Sequence, residues 1–351
     1  MSFDVEILAV ATANPRFRIS QHEIAQLAQT MRPELKSMWN VYSHAGVETR
    51  YFCEPLEWCL QPHGWEERAE SFQRNALDLL EQVTLQAIAD AGIELRGIDM
   101  IVTNTITGLA VPSLDASLIH RLRLSPTIER LPIFGLGCGG GVGGLARATR
   151  FAQSMPDATV LFLTVDLCSV CLRVGDQSPT MFVSAALFGD GAAAVLLQNT
   201  NGKSRTRNSR ARRIRAIGEW CWPNTEHIMG WDIKNDGFGV VLSPELPALI
   251  QGQLAPVVCE FLKRNNTKVD DIRGFLFHPG GAKVLVAIEQ VLGIDQAMLT
   301  HSWEILRQFG NMSSATALFV LERALKAGAN GPHLLAAFGP GFSAYLIIAD
   351  L

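Results

Sequence analysis

One arrangement occurs twice along this chain and restricts what it can fold into. LFGDGAAAVLLQ (187–198) and AAFGPGFSAYLII (336–348) each place a Gly-x-Gly turn beside a long apolar run. Ahead of them, IVTNTITG (101–108) and FLFHPGGA (275–282) occupy comparable places. A period this long is wrong for a solenoid and points to a duplicated α/β unit. Apolar runs bounded by turn residues predict buried strands at 5–12, 99–105, 158–165, 192–198, 274–280 and 333–339. Helical periodicities lie between several of them, as over 69–91 and 249–265. Strands alternating with helices predict an α/β architecture with buried sheets. The halves are set at 1–205 and 206–351, dividing within NTNGKSRTRNSRARR (199–213). Its six cations in fifteen residues carry no interleaved aromatics, so it reads as a solvated connection rather than a grip on phosphate or RNA.

With 351 residues, 48% hydrophobic and 18% charged, the chain can bury a large core and is not a disordered protein. A net charge of −4 argues against a dedicated nucleic-acid binder. The start, MSFDVEILAV, places Asp4 and Glu6 where a secretory signal needs cations, and no 18-residue apolar run occurs elsewhere. The expectation is a soluble, cytoplasmic protein with no membrane association.

The seven cysteines are odd in number and scattered, which does not suggest disulfides. Cys168 and Cys171 have C-x-x-C spacing but lack a second pair, so they read as apolar-lined positions rather than zinc or redox ligands. Cys138 is different. It stands in FGLGCGGGVGGL (134–145), between an apolar segment and a helical pattern, where the positive end of a helix dipole would favour the thiolate. The glycines after it would let an acyl thioester approach, turn the backbone and pack helix on sheet. A nucleophilic cysteine needs a charge partner and a group that polarises a carbonyl. His278 ends a strand in FLFHPGG, and Asn311 opens a helix in GNMSSATALF. Alone, each has a plain reading: a cysteine in a tight crossover, a strand-end histidine, a helix cap.

The motifs GCGGG (137–141), FHPGG (277–281), GNMSSAT (310–316) and FGPG (338–341) together resemble, in order and spacing, the type III polyketide synthases, chalcone-synthase-like enzymes of the thiolase fold. The similarity runs from about residue 5 to the C-terminus. Ketoacyl-ACP synthase III shares the fold and triad, but there Gln-Ala-Asn usually follows the histidine; His278-Pro279-Gly280-Gly281 favours the polyketide synthases. An acyl carrier protein is therefore possible as a partner but not expected. A non-catalytic homologue would have lost a triad residue, and none is lost.

The resemblance implies a homodimer of duplicated halves in five layers, α/β/α/β/α. It implies a Cys138–His278–Asn311 centre that condenses malonyl-CoA onto an acyl group held on Cys138, with no metal or redox cofactor. Thr107, Val111, Asp166, Phe188, Gly280, Gly281, Ser313, Phe338, Gly339, Pro340 and Gly341 are implied as pocket positions. Lys36, Arg50 and Lys283 are implied as partners of the CoA phosphates.

Departures from the plant pattern bear on specificity. Val240 stands where plant members carry a phenylalanine at the pocket mouth, and a second gatekeeper falls near Gly218 or Trp220. A pocket glycine becomes Trp231, and two starter-pocket threonines become Cys168 and Cys171. Asp166 replaces a glutamate in a buried network near the cyclisation pocket. The pattern resembles bacterial alkylpyrone, alkylresorcinol and tetrahydroxynaphthalene synthases. A medium- or long-chain aliphatic starter is expected, giving an alkylpyrone or alkylresorcinol. The alternative is a malonyl-CoA-primed aromatic product, if Trp231 blocks the tunnel.

Overall fold

The computed structural model describes residues 4–200 and 212–351, so the division set at 205/206 lies outside the described residues. In the first half the strands are β1 (Val5–Ala13), β2 (Phe17–Ser20), β3 (Thr49–Phe52), β4 (Met100–Thr105), β5 (Glu129–Phe134), β6 (Thr159–Leu167) and β7 (Asp190–Asn199). The second half has β8 (Arg213–Cys221), β9 (Met229–Lys234), β10 (Gly237–Leu242), β11 (Gly274–Phe277), β12 (Pro332–Gly339) and β13 (Ser343–Asp350).

The duplication read from the sequence is a duplication of topology. One half orders its strands β1-β7-β6-β4-β5 and the other β8-β13-β12-β11. Along each row the pairings run antiparallel, antiparallel, then parallel. The apolar runs at 192–198 and 343–348 are therefore equivalent central strands, buried along almost their whole length because both faces carry helices. The two rows meet at one pair, Glu6 opposite Arg213, which also form an ion pair.

Three apolar clusters separate five layers. The helix Trp65–Ala91 covers the outer face of the first row, and Leu246–Arg264 with Ala282–Leu292 covers that of the second. Between the rows lie two helices, Gly140–Ser154 and Thr316–Lys326, whose Val142, Leu145, Leu318 and Val320 are fully buried. This is the α/β/α/β/α thiolase-like plan. Both helices of the middle layer begin beside the candidate site.

Several strands lie outside the predicted apolar runs: β2, β3, β5, β8 and the β9–β10 hairpin. β5 is an edge strand with four of its six residues exposed, and the β9–β10 hairpin buries only part of its surface, so neither carries a continuous apolar run. No helix among the described residues is long and apolar enough to cross a membrane.

Candidate active site

The chain leaves β5, makes a tight turn at Gly137–Gly139 and enters the helix Gly140–Ser154, with Cys138 in the turn. Gly137 has φ +53°, a left-handed conformation that glycine adopts without steric cost. The glycines that follow do not face the cavity, contrary to the expectation that they admit a substrate. A Cβ at Gly139 or Gly143 would strike the Tyr345 ring, at Gly140 the Asn104 amide, at Gly141 the Ser314 carbonyl and at Gly144 the Phe162 ring. Their purpose is close packing of this helix start against β4 and β6 of its own half and against Ser314 and Tyr345 of the other.

His278 follows β11, its backbone N–H donating to the Ala336 carbonyl at 2.7 Å. Its ring is buried, and neither imidazole nitrogen has a partner among the described residues. Buried polar atoms are nearly always satisfied, so two orphaned nitrogens facing a cavity suit a ligand oxygen. Burial pushes the imidazole down to about 3, keeping it neutral.

Asn311 sits at the start of the turn that leads into Thr316–Lys326. Its Oδ1 accepts from the Ser313 N–H at 2.8 Å, which turns Nδ2 outward, and Nδ2 donates to the Gly280 carbonyl at 3.3 Å. The Asn311 and Ser313 side chains stand near Cys138 and favour its thiolate. Ser313 holds φ +50°, an uncommon conformation for a non-glycine residue.

The expected dipole-favoured thiolate meets an opposing effect. Burial is the largest influence on Cys138, raising its thiol to about 11, and the nearby Asp166 carboxylate adds to the rise. Ser313 and Asn311 act the other way. Thiol and imidazole are thus both biased to their neutral forms.

Cys138, His278, Asn311 and Ser313 line one cavity of about 300 Å³. Its other walls are largely apolar and include Phe188, Gly280, Phe338, Pro340, Cys168, Cys171, Trp231 and Val240. Val240 lies directly opposite Trp231 in the β9–β10 hairpin. The Trp231 indole is pinned: Nε1 donates to the Ile106 carbonyl at 2.8 Å, and the ring stacks on Phe238 at 5.3 Å. Ile106 and Phe238 are walls that the sequence reading missed, because a lone apolar residue in a loop or hairpin carries no signal of its own.

Several expected pocket positions lie elsewhere. Val111 is 99% exposed and touches no wall of the cavity in this chain. Thr107 and Asp166 are buried behind the wall, where the Thr107 hydroxyl donates to Asp166 and accepts from the Leu167 N–H. Gly339 packs against the Leu136 carbonyl, and Gly341 turns the chain at φ +70° between β12 and β13. Neither Gly218 nor Trp220 reaches the cavity: Gly218 packs on Phe261, and Trp220 is 45% exposed.

Gly281 lies in an adjoining hollow of about 620 Å³, which shares Leu242, Leu246, Gly280 and Val284 with the cavity. Of the three expected phosphate partners, exposed Lys283 lines this hollow, whereas Lys36 lies on the exposed Pro33–Met38 turn nearby. Arg50 is excluded from that role. It is fully buried, and its guanidinium is spent on backbone carbonyls. All seven cysteines are unpaired, and no cluster that could hold a metal ion occurs among the described residues.

Five layers built from two repeated halves, with a cysteine, a histidine and an asparagine meeting on one cavity wall, define a condensing enzyme of the thiolase fold. The comparisons place it further. Residues 61–200 match the N-terminal domain of chalcone and stilbene synthases, and residues 215–348 match their C-terminal domain. The chain is 35% identical to the 1,3,6,8-tetrahydroxynaphthalene synthase of Streptomyces peucetius subsp. caesius over 97% of this chain and 92% of that one. It is 28% identical to the alpha-pyrone synthesis polyketide synthase-like Pks18 of Mycobacterium tuberculosis, over 98% and 91%. The crystal structure of the tetrahydroxynaphthalene synthase of Streptomyces coelicolor A3(2) superposes with a TM-score of 0.92 at 28% identity, covering 98% of this chain and 99% of that one. The chain belongs to the chalcone and stilbene synthase family and is a type III polyketide synthase, an acyltransferase.

Proposed function

We propose that Cys138 carries the acyl chain while His278 and Asn311 bind the thioester oxygen of malonyl-CoA. The observation that supports this most is the meeting of the three side chains on one largely apolar cavity wall, with both imidazole nitrogens unpartnered. In the loading step His278 takes the Cys138 proton as the sulfur attacks the acyl-CoA carbonyl, and returns it to the departing CoA thiolate. The neutral imidazole then donates, with Asn311 Nδ2, to the malonyl oxygen. Loss of CO2 leaves an enolate whose charge those donors stabilise, and its carbon attacks the Cys138 thioester. The cysteine sulfur departs, and the chain has grown by two carbons on CoA. The sulfur leaves as a thiolate that takes up one proton from solvent, and no step needs an external oxidant or reductant, so the scheme calls for no redox cofactor. CoA enters through the adjoining hollow, with Lys283 beside its phosphates.

The starter we infer is a medium-chain aliphatic acyl-CoA, closed to an alkylpyrone or alkylresorcinol. Val240 and the two cysteines supply small apolar walls, and each buried methylene adds about 0.8 kcal/mol. The volume, near the low end of the roughly 300–1,000 Å³ of ligand pockets, argues against the longest chains. A second reading, priming by malonyl-CoA, is favoured by the pinned Trp231 indole opposite Val240. The protein is further inferred to act as a cytoplasmic homodimer, a state that would cover the exposed Val111 and Phe134.

The test is product mass spectrometry with malonyl-CoA alone and with acetyl to palmitoyl starters, for the wild type, Val240→Phe and Cys138→Ala. The reading expects kcat/KM to rise with chain length to a medium-chain maximum that Val240→Phe removes, and no acyl-enzyme in Cys138→Ala. A flat series with a malonyl-only aromatic product supports the second reading. An acylated Cys138→Ala protein would overturn the assignment of the acyl carrier.

A further inference from the structure

Arg50 is the largest completely buried side chain among the described residues. Among the described residues it forms no ion pair with a carboxylate, and its Nε has no partner. Burying a charge in this way is costly unless something specific is gained. Three of its hydrogen bonds go to one place, the carbonyls of Ala185, Ala186 and Phe188 at the end of the helix Pro179–Leu187.

The last carbonyls of a helix have no partner within it. Here each finds one. Ser184 O accepts from the Phe188 N–H at 2.9 Å, and Ala185 O accepts from Arg50 Nη1 at 2.6 Å. Ala186 O accepts from Arg50 Nη2 at 2.9 Å and from Gln21 Nε2 at 3.1 Å. Leu187 O accepts from the Asn311 N–H at 2.9 Å. Beyond the helix, Arg50 Nη1 also reaches the Phe188 carbonyl at 3.2 Å, while the Gly189 N–H donates to the Asn311 carbonyl at 2.9 Å. Gln21 completes the set by accepting from Nη2. The cation also complements the negative end of the helix dipole. Burial draws its pKa down only to about 10, so it stays charged at neutral pH.

One guanidinium therefore grips the segment 185–188 from one side while Asn311 pairs with it, through two backbone bonds, from the other. Two members of this assembly, Phe188 and Asn311, line the cavity. The packing leaves little slack: a Cβ at Gly189 would press on the Phe309 carbonyl at 2.7 Å and on Arg50 Cβ at 3.1 Å, and one at Gly310 would press on the Leu187 carbonyl at 2.7 Å.

We propose that Arg50 is a positioning residue for decarboxylation: by tying off the end of the helix Pro179–Leu187 it holds the Asn311 amide at the height where it meets the malonyl thioester oxygen. It acts through Leu187 and Gly189, touches no substrate, and leaves Cys138, which sits on a different junction, unaffected. The inference rests on the role given to Asn311 above.

The experiment separates the two half-reactions in the full-length enzyme. Arg50→Lys and Gln21→Leu are each compared with Asn311→Ala for acyl loading of Cys138, read by mass of the intact protein, and for CO2 release from malonyl-CoA. Arg50→Lys should load acyl-CoA within about twofold of the wild-type rate yet release CO2 at least about tenfold more slowly, in kcat rather than KM. A buried lysine also loses its proton far more readily than arginine. Its CO2 release should therefore fall further as pH rises from 7 to 9, relative to wild type, a trend that mere loosening would not produce. Should Arg50→Lys not fold, Gln21→Leu, which removes one partner of the guanidinium, should still slow CO2 release severalfold with loading intact. Loading and CO2 release falling together, or CO2 release unchanged in whichever of the two variants folds, would overturn the role of Arg50. If Asn311→Ala itself releases CO2 at the wild-type rate, it is the assignment of Asn311 that fails.

Discussion

The two junctions that build the site solve one packing problem with opposite chemistry. Each lies where the chain enters a middle-layer helix, at Gly137–Gly141 in the first half and Asn311–Thr316 in the second. The first junction works by omission. Its glycines leave space into which Tyr345, Asn104 and the Ser314 carbonyl fit. The second works by hydrogen bonds. Ser313 N–H donates to Asn311 Oδ1, Ser314 N–H and Oγ both donate to Asp166 Oδ2, and Thr316 Oγ1 accepts from the Met312 N–H. Asp166 ties the two halves together, because its other oxygen accepts from Thr105, Ile106 and Thr107. A nucleophile at the first junction needs clearance. A hydrogen-bond donor at the second needs a fixed direction.

Filling the first junction should do most damage. A Cβ at Gly141 meets a backbone carbonyl that cannot swing aside, so Gly141→Ala should cost at least the ~3 kcal/mol upper range of overpacking, with loss of both half-reactions. Gly252→Ala is the contrast: that helical glycine faces open space, and the change should raise stability by up to about 1 kcal/mol. Thermal melts of the two variants decide whether glycine is needed for space or only tolerated.

Breaking the direction at the second junction comes next. Asn311→Ala should slow CO2 release about a hundredfold, roughly 3 kcal/mol, while leaving Cys138 able to load. Asp166→Asn strikes the tie between the halves. It leaves some of five buried donors without an acceptor, so a loss of about 1–3 kcal/mol in denaturant unfolding is expected. Ser313→Gly should be milder still: it relieves a positive φ and removes a hydroxyl that favours the Cys138 thiolate, leaving the melting temperature level or slightly higher and loading a few-fold slower.

The smallest expected effect is a flat line. Burial holds His278 neutral down to about pH 3, so it takes up no proton as pH falls from 8 to 5, where an ordinary histidine would. CO2 release by Cys138→Ala, which removes the thiol from the titration, should then show no inflection near pH 6.5. An inflection there would mean that the ring is far better solvated than its surroundings indicate.

Much of this was written in local patterns. Strands buried on both faces must be apolar throughout, which is why β1, β4, β6, β7 and β12 were readable within a residue or two. The four motifs, through their resemblance to a family, pointed to Cys138, His278 and Asn311, three side chains that the fold brings to one cavity. Half-exposed strands such as β5 and the β9–β10 hairpin carry no such demand and were not found by pattern. The cavity inherits that weakness, since Trp231, Phe238 and Val240 all come from the hairpin.

By itself, then, the order of residues determined the duplication and the central strands, because both follow from spacing along one chain; the three polar groups were pointed to by the resemblance of four motifs to a family. Only the tertiary structure decided which way things face. It turned the glycines of the first junction toward Tyr345 and Ser314 rather than toward substrate, put Val111 on the surface, and withdrew Thr107 and Asp166 behind the wall. It also withdrew Arg50, expected beside the CoA phosphates, into the interior. The physical reason is the same in each case: direction and burial are set by elements far apart in the chain, such as Arg50 and the carbonyls at 185–188, and nothing local to either records that they will meet.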